Sequence, residues 1–261
     1  MQTWRMLELQ TDNAYMNMSI DEAIMAARIA EKVPNTLRFY RWNPSSISFG
    51  KNQNPEAEVY VENCRRLGVD LVRRVSGGGT VYHDFEGEVT YSVVAKVEDL
   101  GSADVTSVYA KIYEAIKDAL RLLGITADFG TGDAKNCPNM TVSGKKISGS
   151  SQSISRAVVL QHGTVLRKVD LPKMFTLLKL RNVDCAQAAD IAKRKITSIQ
   201  DELGHGVEPE TVANALLQGF RAMMRIQLEK ASLTPFEINL SNTLCKEKYA
   251  TPEWNFEDKV S

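Results

Sequence analysis

Over the first two thirds of the chain, apolar residues alternate with polar ones or cluster in short runs, the pattern of half-buried and fully buried strands. TWRMLELQ (3–10), LRFYRW (37–42), SISF (46–49), VDLVRRV (69–75), EVTYSVVA (88–95) and AVVLQHGTVL (157–166) read as strands. Helical spacing interrupts them. Asn17-Met18-Ser19-Ile20-Asp21-Glu22 predicts a helix start, with Ser19 and Glu22 at capping-box spacing and Ile20, Ala23, Ile24 and Ala27 as an apolar stripe that ends before Pro34-Asn35. PEAEVYVENCRRLG (55–68) predicts a single helix with Pro at its start and Gly after its end. SVYAKIYEAIKDALRLLG (107–124) is the clearest helix, and another spans about 208–225. A hairpin turn falls at Ser143-Gly144. No repeat or linker divides the sequence, so the expectation is one α+β domain, a mixed β-sheet core flanked by helices.

Composition narrows the function classes. With 261 residues, 43% hydrophobic and 25% charged, the chain can bury a core and is not of disordered type. Lys+Arg and Asp+Glu are both 32, which argues against a strongly basic nucleic-acid binder. No apolar run reaches the roughly 20 residues of a membrane span, and MQTWRMLELQ lacks the pattern of a secretory leader. Cys64, Cys137, Cys185 and Cys245 are too scattered for a zinc site or disulfide framework, as expected of a cytoplasmic protein.

Two stretches could carry chemistry. In Arg73-Arg74-Val75-Ser76-Gly77-Gly78-Gly79-Thr80-Val81-Tyr82-His83-Asp84, consecutive glycines between strands suit an anion-cradling backbone with an arginine beside it. Read alone, the stretch is equally a flexible hairpin with two surface arginines. In Ser143-Gly144-Lys145-Lys146-Ile147-Ser148-Gly149-Ser150, Lys146 could lie over a floor of small residues and neutralise paired anions, although solvated lysines are the commoner fate of such a turn. His162 in an apolar strand is either a core histidine or a donor at a pocket floor, and Trp42 is either a core edge or the wall of an apolar slot.

Together, NMSIDEA (17–23), RWNPSSISFGKNQNP (41–55), RRVSGGGTVYHD (73–84), GKKISGSSQ (144–152), HGTVL (162–166) and KYATPEWNF (248–256) resemble the lipoate–protein ligase A family, over most of the chain and in the family's order. The resemblance implies the biotin/lipoate ligase type of catalytic domain, spanning 1–261. It also implies ATP-dependent activation of lipoate to lipoyl-AMP, with ATP, accompanied by Mg²⁺, and lipoate as substrates and no tightly bound cofactor. The lipoyl group would then pass to a lysine on carrier domains, the E2 subunits of 2-oxoacid dehydrogenases or the glycine cleavage H protein.

By the same resemblance, Lys146 is the catalytic residue, bridging the acyl carbonyl and the α-phosphate. Arg74, Gly79, Thr80, Val81 and Tyr82 would hold the nucleotide. Trp42, Ser76, Gly77, Gly78, His162 and Gly163, with Lys146, would border the lipoyl chain. Many relatives carry an Asn-Asp pair before the lysine hairpin. Here Asn139 stands at the aspartate's place, so metal ligation is unassigned, with Asp133 and Asn139 as candidates. Many such ligases continue into a C-terminal accessory domain, and this chain ends at Ser261, so a separately encoded accessory subunit is expected.

The nearest alternative is an ATP-independent octanoyl or lipoyl transferase working through a cysteine thioester, for which Cys137 is the cysteine nearest the expected site. A biotin–protein ligase fits less well, since its glycine loop is more basic than RRVSGGGT. A module that binds an acyl-adenylate without turnover is the non-enzymatic alternative.

Overall fold

A computed structural model describes residues 2–101, 104–130, 138–180 and 183–257. Strands β1 (Thr3–Asp12) and β2 (Thr36–Trp42) flank helix α1 (Ala14–Ile29). After β3 (Ser46–Phe49) come the short helices α2 (Pro55–Glu58) and α3 (Val61–Arg66), then β4 (Asp70–Arg73) and β5 (Val81–His83). The long strand β6 (Glu88–Lys96) leads to α4 (Val105–Leu122). Four strands follow: β7 (Asp128–Gly130), β8 (Asn139–Val142), β9 (Lys145–Ser155) and β10 (Val158–Leu166). The remainder comprises α5 (Leu171–Leu177), α6 (Cys185–Lys193), α7 (Ile199–Leu203), α8 (Pro209–Met224), β11 (Gln227–Lys230), α9 (Pro235–Leu244) and α10 (Pro252–Phe256).

Among the described residues these strands form an eight-stranded mixed sheet, ordered β11-β1-β2-β6-β10-β9-β8-β7, and a three-stranded one, β4-β3-β5. The first is parallel between β11, β1 and β2, and antiparallel from β2 onward. Side-chain alternation assigns its two faces. Leu37 and Phe39 of β2, Val89, Tyr91 and Val93 of β6, and Val159 and Val165 of β10 pack beneath α4 and α8 in the main core. The intervening residues face α1 or the small sheet. Leu7, Val94, Val158 and Leu160 meet Ile20, Ile24 and Met25 of α1, while Tyr40 and Trp42 pack with Met18 and with Val72 of β4. The small sheet, covered by α3 and α5, has its own core around Ile47, Phe49, Cys64 and Leu71.

Two expected boundaries are corrected. Helix α1 starts at Ala14, capped by Asn13, whose Oδ1 accepts the Met16 N–H at 2.9 Å. Ser19 is therefore interior, and its hydroxyl donates to the Tyr15 carbonyl at 2.7 Å. The single helix over 55–68 is two, because Val59 leaves helical geometry to bridge Leu178. Burying Val59 completely wins over helix continuity there.

Candidate active site

The cavity lies between the two sheets, lined by β2, β3, β5, β6, β8, β9 and β10, by Met18 of α1 and by the loop between β4 and β5. Its inner wall is apolar: Met18, Tyr40 and Trp42, the latter two fully buried. The Trp42 indole donates Nε1–H to Thr90 Oγ1 at 2.8 Å and stacks on His83, with ring centroids 4.0 Å apart. A wall pinned in this way presents a rigid apolar face to a chain-like ligand.

Lys146 stands at the opposite wall. The hairpin turn at Ser143 and Gly144, with φ of 48° and 80°, starts β9 so that Lys145 is exposed while Lys146 is half-buried. Its side chain lies over Gly149: a Cβ there would meet Lys146 Cε and Nζ at 2.5 Å and Asn139 Oδ1 at 3.2 Å. The glycine thus creates the space the amine occupies. The backbone of Lys146 is held as well, its N–H donating to Lys195 O at 2.8 Å and its carbonyl accepting from Thr197 at 2.9 Å.

The glycine loop leans on β3's exit, where a Cβ on Gly50 would sit 2.0 Å from Gly78 O. Gly78 has φ of 85°, a backbone conformation that side chains disfavour. The N–H groups of Gly77, Gly78, Gly79 and Thr80 donate to no protein acceptor among the described residues, which leaves them for a ligand. Arg74 locks the loop from beneath. Its Nη2 donates to the Gly77 and Gly79 carbonyls at 2.7 Å each, Nη1 to Ser48 O and Oγ at 3.0 and 3.1 Å, and Nε to Ser76 and Ser151 Oγ at 3.1 and 3.2 Å. Every N–H group of the guanidinium is committed to protein, so in this conformation Arg74 serves the loop rather than an anion. Arg73 is also buried: it donates to the Trp254 and Asn255 carbonyls and to Lys51 and Gln53. Neither arginine is a surface residue.

His162 is buried against Asp21. Burial alone lowers the imidazole's pKa, and the Asp21 hydrogen bond offsets only part of that, so the ring stays below its ordinary value. Burial alone would raise Asp21, but the bond from His162, the Arg38 charge and the Ser92 hydroxyl outweigh it and hold its carboxyl low.

Of the expected residues, Trp42, Arg74, Gly78, Gly79, Thr80, Val81, Lys146, His162 and Gly163 line the cavity together. Ser76 lies behind it, the Gly77 carbonyl turns to Arg74, and the Tyr82 ring packs in the small sheet's core. Asn139 lines the cavity, whereas Asp133 and Cys137 lie outside the described residues. Among the described residues no cluster of three His, Cys, Asp or Glu side chains could hold a metal. Sequence reasoning missed Met18, Tyr40, Ser48 and His83 as lining residues, although period-two spacing from Trp42 pointed to Tyr40.

Residues 13–221 match the family model of the lipoyl protein ligase A/B catalytic domain. The chain belongs to that family. Relatives include octanoyltransferases LipM of Kyrpidia tusciae (35% identical, covering 98% of this chain and 99% of the relative), Anoxybacillus flavithermus (32%, 98% of each) and Bacillus subtilis (31%, 98% of each). Among solved structures, a bi-partite lipoate protein ligase of Thermoplasma acidophilum superposes with a TM-score of 0.85 at 29% identity over 100% of both chains. A lipoate-protein ligase A bound with ATP gives the same score and identity over 98% of this chain and 99% of the other. The chain is therefore an enzyme of the lipoate ligase and octanoyltransferase family with the lipoate-ligase catalytic fold. The expected ATP-dependent ligase is not the activity of these sequence relatives, which are named octanoyltransferases. No helix among the described residues is long and apolar enough to cross a membrane.

Proposed function

We propose that the protein is an acyltransferase that moves an octanoyl-type chain from a thioester donor to a lysine amine of a lipoyl carrier domain, an E2 domain or H protein. The observation that carries this reading is end-to-end similarity to octanoyltransferases, at 31–35% identity over 98% of the chain, in a protein whose cavity pairs an apolar slot with Lys146. The nucleophile in this reading is Cys137. Among the other cysteines, Cys64 is buried, which pushes its thiol up to about 11, and neither Cys185 nor Cys245 lines the cavity. Cys137 precedes Asn139, a lining residue, by two positions.

The Cys137 sulfur, giving up its proton, attacks the donor's carbonyl carbon: a new C–S bond forms, the donor's own C–S bond breaks, and the departing sulfur takes up that proton to leave as a free thiol. The acceptor amine then attacks the enzyme thioester. A C–N bond replaces the C–S bond, and the proton lost by nitrogen restores the Cys137 thiol. Both steps place negative charge on the carbonyl oxygen. Lys146 and the unpaired amides of residues 77–80 supply the opposing charge and dipoles.

A second reading, ATP-dependent lipoyl-AMP formation with Mg²⁺ and a separate accessory subunit, draws support from the likeness to an ATP-bound ligase and to a bi-partite one. One experiment separates the two. The chain is mixed with an apo lipoyl domain and either an octanoyl-carrier thioester without nucleotide, or octanoate or lipoate with Mg-ATP, each with and without an accessory subunit. Acylation from the thioester alone, lost in Cys137→Ser, is the expected result. Modification only with Mg-ATP, accompanied by pyrophosphate and undiminished in Cys137→Ser, would replace this reading with the ligase one.

A further inference from the structure

Two buried polar chains converge on Arg74, each ending on a carboxylate that does not itself line the cavity. In one, Asp21 Oδ2 lies 3.0 Å from His162 Nδ1, and His162 Nε2 lies 2.7 Å from Ser76 Oγ, which accepts from Arg74 Nε. In the other, Glu88 Oε1 lies 2.6 Å from His83 Nδ1, and His83 Nε2 lies 2.8 Å from Ser48 Oγ, which accepts from Arg74 Nη1. Asp21, Glu88, Ser48 and Ser76 are each no more than 2% exposed.

With ionised carboxylates and neutral rings, donor and acceptor inventory orients the links. Arginine only donates, so both serine oxygens accept from it and must send their protons elsewhere. Among the described residues the one remaining partner of Ser48 is His83 Nε2, whereas Ser76 has two, Ser151 Oγ and His162 Nε2, each at 2.7 Å. The Asp21 carboxylate decides for Ser76: it takes the proton of His162 Nδ1, so Nε2 of the neutral ring is an acceptor and the Ser76 hydroxyl donates to it. Each imidazole then carries its proton on Nδ1 and gives it to a carboxylate, which only accepts.

We propose that Asp21 and Glu88 are positioning residues: through His162 and His83 they set the tautomer that aims Ser76 and Ser48 at Arg74, and so hold the Gly77–Gly79 loop in its acyl-receiving shape. Neither carboxylate touches the substrate. The loop's outward amides depend on Arg74 holding the Gly77 and Gly79 carbonyls inward, and Arg74 depends on serine oxygens whose lone pairs face it. The inference rests on reading this cavity as the acyl site.

The chain has three histidines, and the third, His205, is exposed and serves as an internal control. Long-range ¹⁵N–¹H spectra of the ¹⁵N-histidine-labelled protein at neutral pH should show His83 and His162 as Nδ1–H tautomers. Because this measurement needs no substrate, its failure is distinguishable from failure of the proposed reaction. An amide replacing a carboxylate can turn its NH₂ toward the imidazole and invert the tautomer. Glu88→Gln should therefore move His83 alone to Nε2–H, and Asp21→Asn should move His162 alone. Each should lower kcat/KM for acyl transfer by tenfold or more while the chain stays folded. An Nε2–H or imidazolium form of either ring in the unsubstituted protein overturns the proposal. So does an inverted tautomer with activity within twofold of normal. Should the variants fail to fold, the spectrum of the unsubstituted protein decides.

Discussion

At the scale of single residues, adjacent lysines part company because a strand alternates its faces. Lys146→Ala should lower acyl transfer by about 10²–10³, the usual cost of losing one preorganised charge, and Lys145→Ala should leave it within about twofold. Steady-state assays of the two variants check this, and equal small losses would show that the wrong lysine is credited. Gly149→Ala is a subtler probe. Its methyl would occupy the space of Lys146 Cε and Nζ, so the flexible amine moves while the backbone stays. Activity should fall at least tenfold with an unchanged melting temperature. The sequence marked Lys146, Trp42 and His162 because short motifs surround each of them. It could not show Arg74 as a structural lock, since its partners Ser48 and Ser151 lie 26 and 77 positions away. Nor could it show His83 beneath Trp42, a contact made only when the small sheet closes on the large one.

At the scale of elements, the C-terminal segment is a fastener. Asn255 Oδ1 accepts the Arg73 N–H at 2.7 Å, its Nδ2 donates to Tyr249 and Thr251 carbonyls, and the Trp254 indole donates to the Arg73 carbonyl at 2.7 Å. These bonds hold the end of β4, one residue before Arg74. Asn255→Ala removes the Oδ1 acceptor of the buried Arg73 N–H, and urea unfolding should show a loss of about 1–3 kcal/mol. Helix α9 is fastened to β1 by the buried pair of Arg5 and Glu237. Removing one partner with Glu237→Ala strands a guanidinium and should cost about 3–5 kcal/mol in the same measurement. Long periodic elements such as α4 and α8, and apolar strands such as β6 and β10, were legible in the sequence. Strand β11 was not, because an edge strand with Leu228 as its one buried residue carries almost no apolar pattern. The start of α1 was misplaced because Asn13 caps it without the capping-box spacing that Ser19 and Glu22 happen to show.

At the scale of the whole molecule, the buried His162–Asp21 pair contributes to the pH dependence of stability in two steps. His162 has a pKa below that of an unfolded imidazole, so the unfolded chain binds the extra proton first. Stability is then full above about pH 6.5, the ordinary imidazole value, and falls as pH drops through the lowered one. Asp21, also held low, adds a loss at more acidic pH, where its carboxyl is finally protonated in the folded state. Melting temperature should therefore decline from mildly acidic pH downward, and His162→Gln should flatten the first part of that decline. A parent protein equally stable at pH 5 and pH 7 would contradict this assignment.

The alternation along β10 ties catalysis to folding. Inserting or deleting one residue ahead of His162 would carry the imidazole across to the α4 and α8 side and swing Gln161 or Gly163 toward the acyl slot. Val159 and Val165 would leave the main core in the same slip. A frame error of one position therefore cannot disable the chemistry and spare the scaffold, so this strand should tolerate substitutions far better than changes of length.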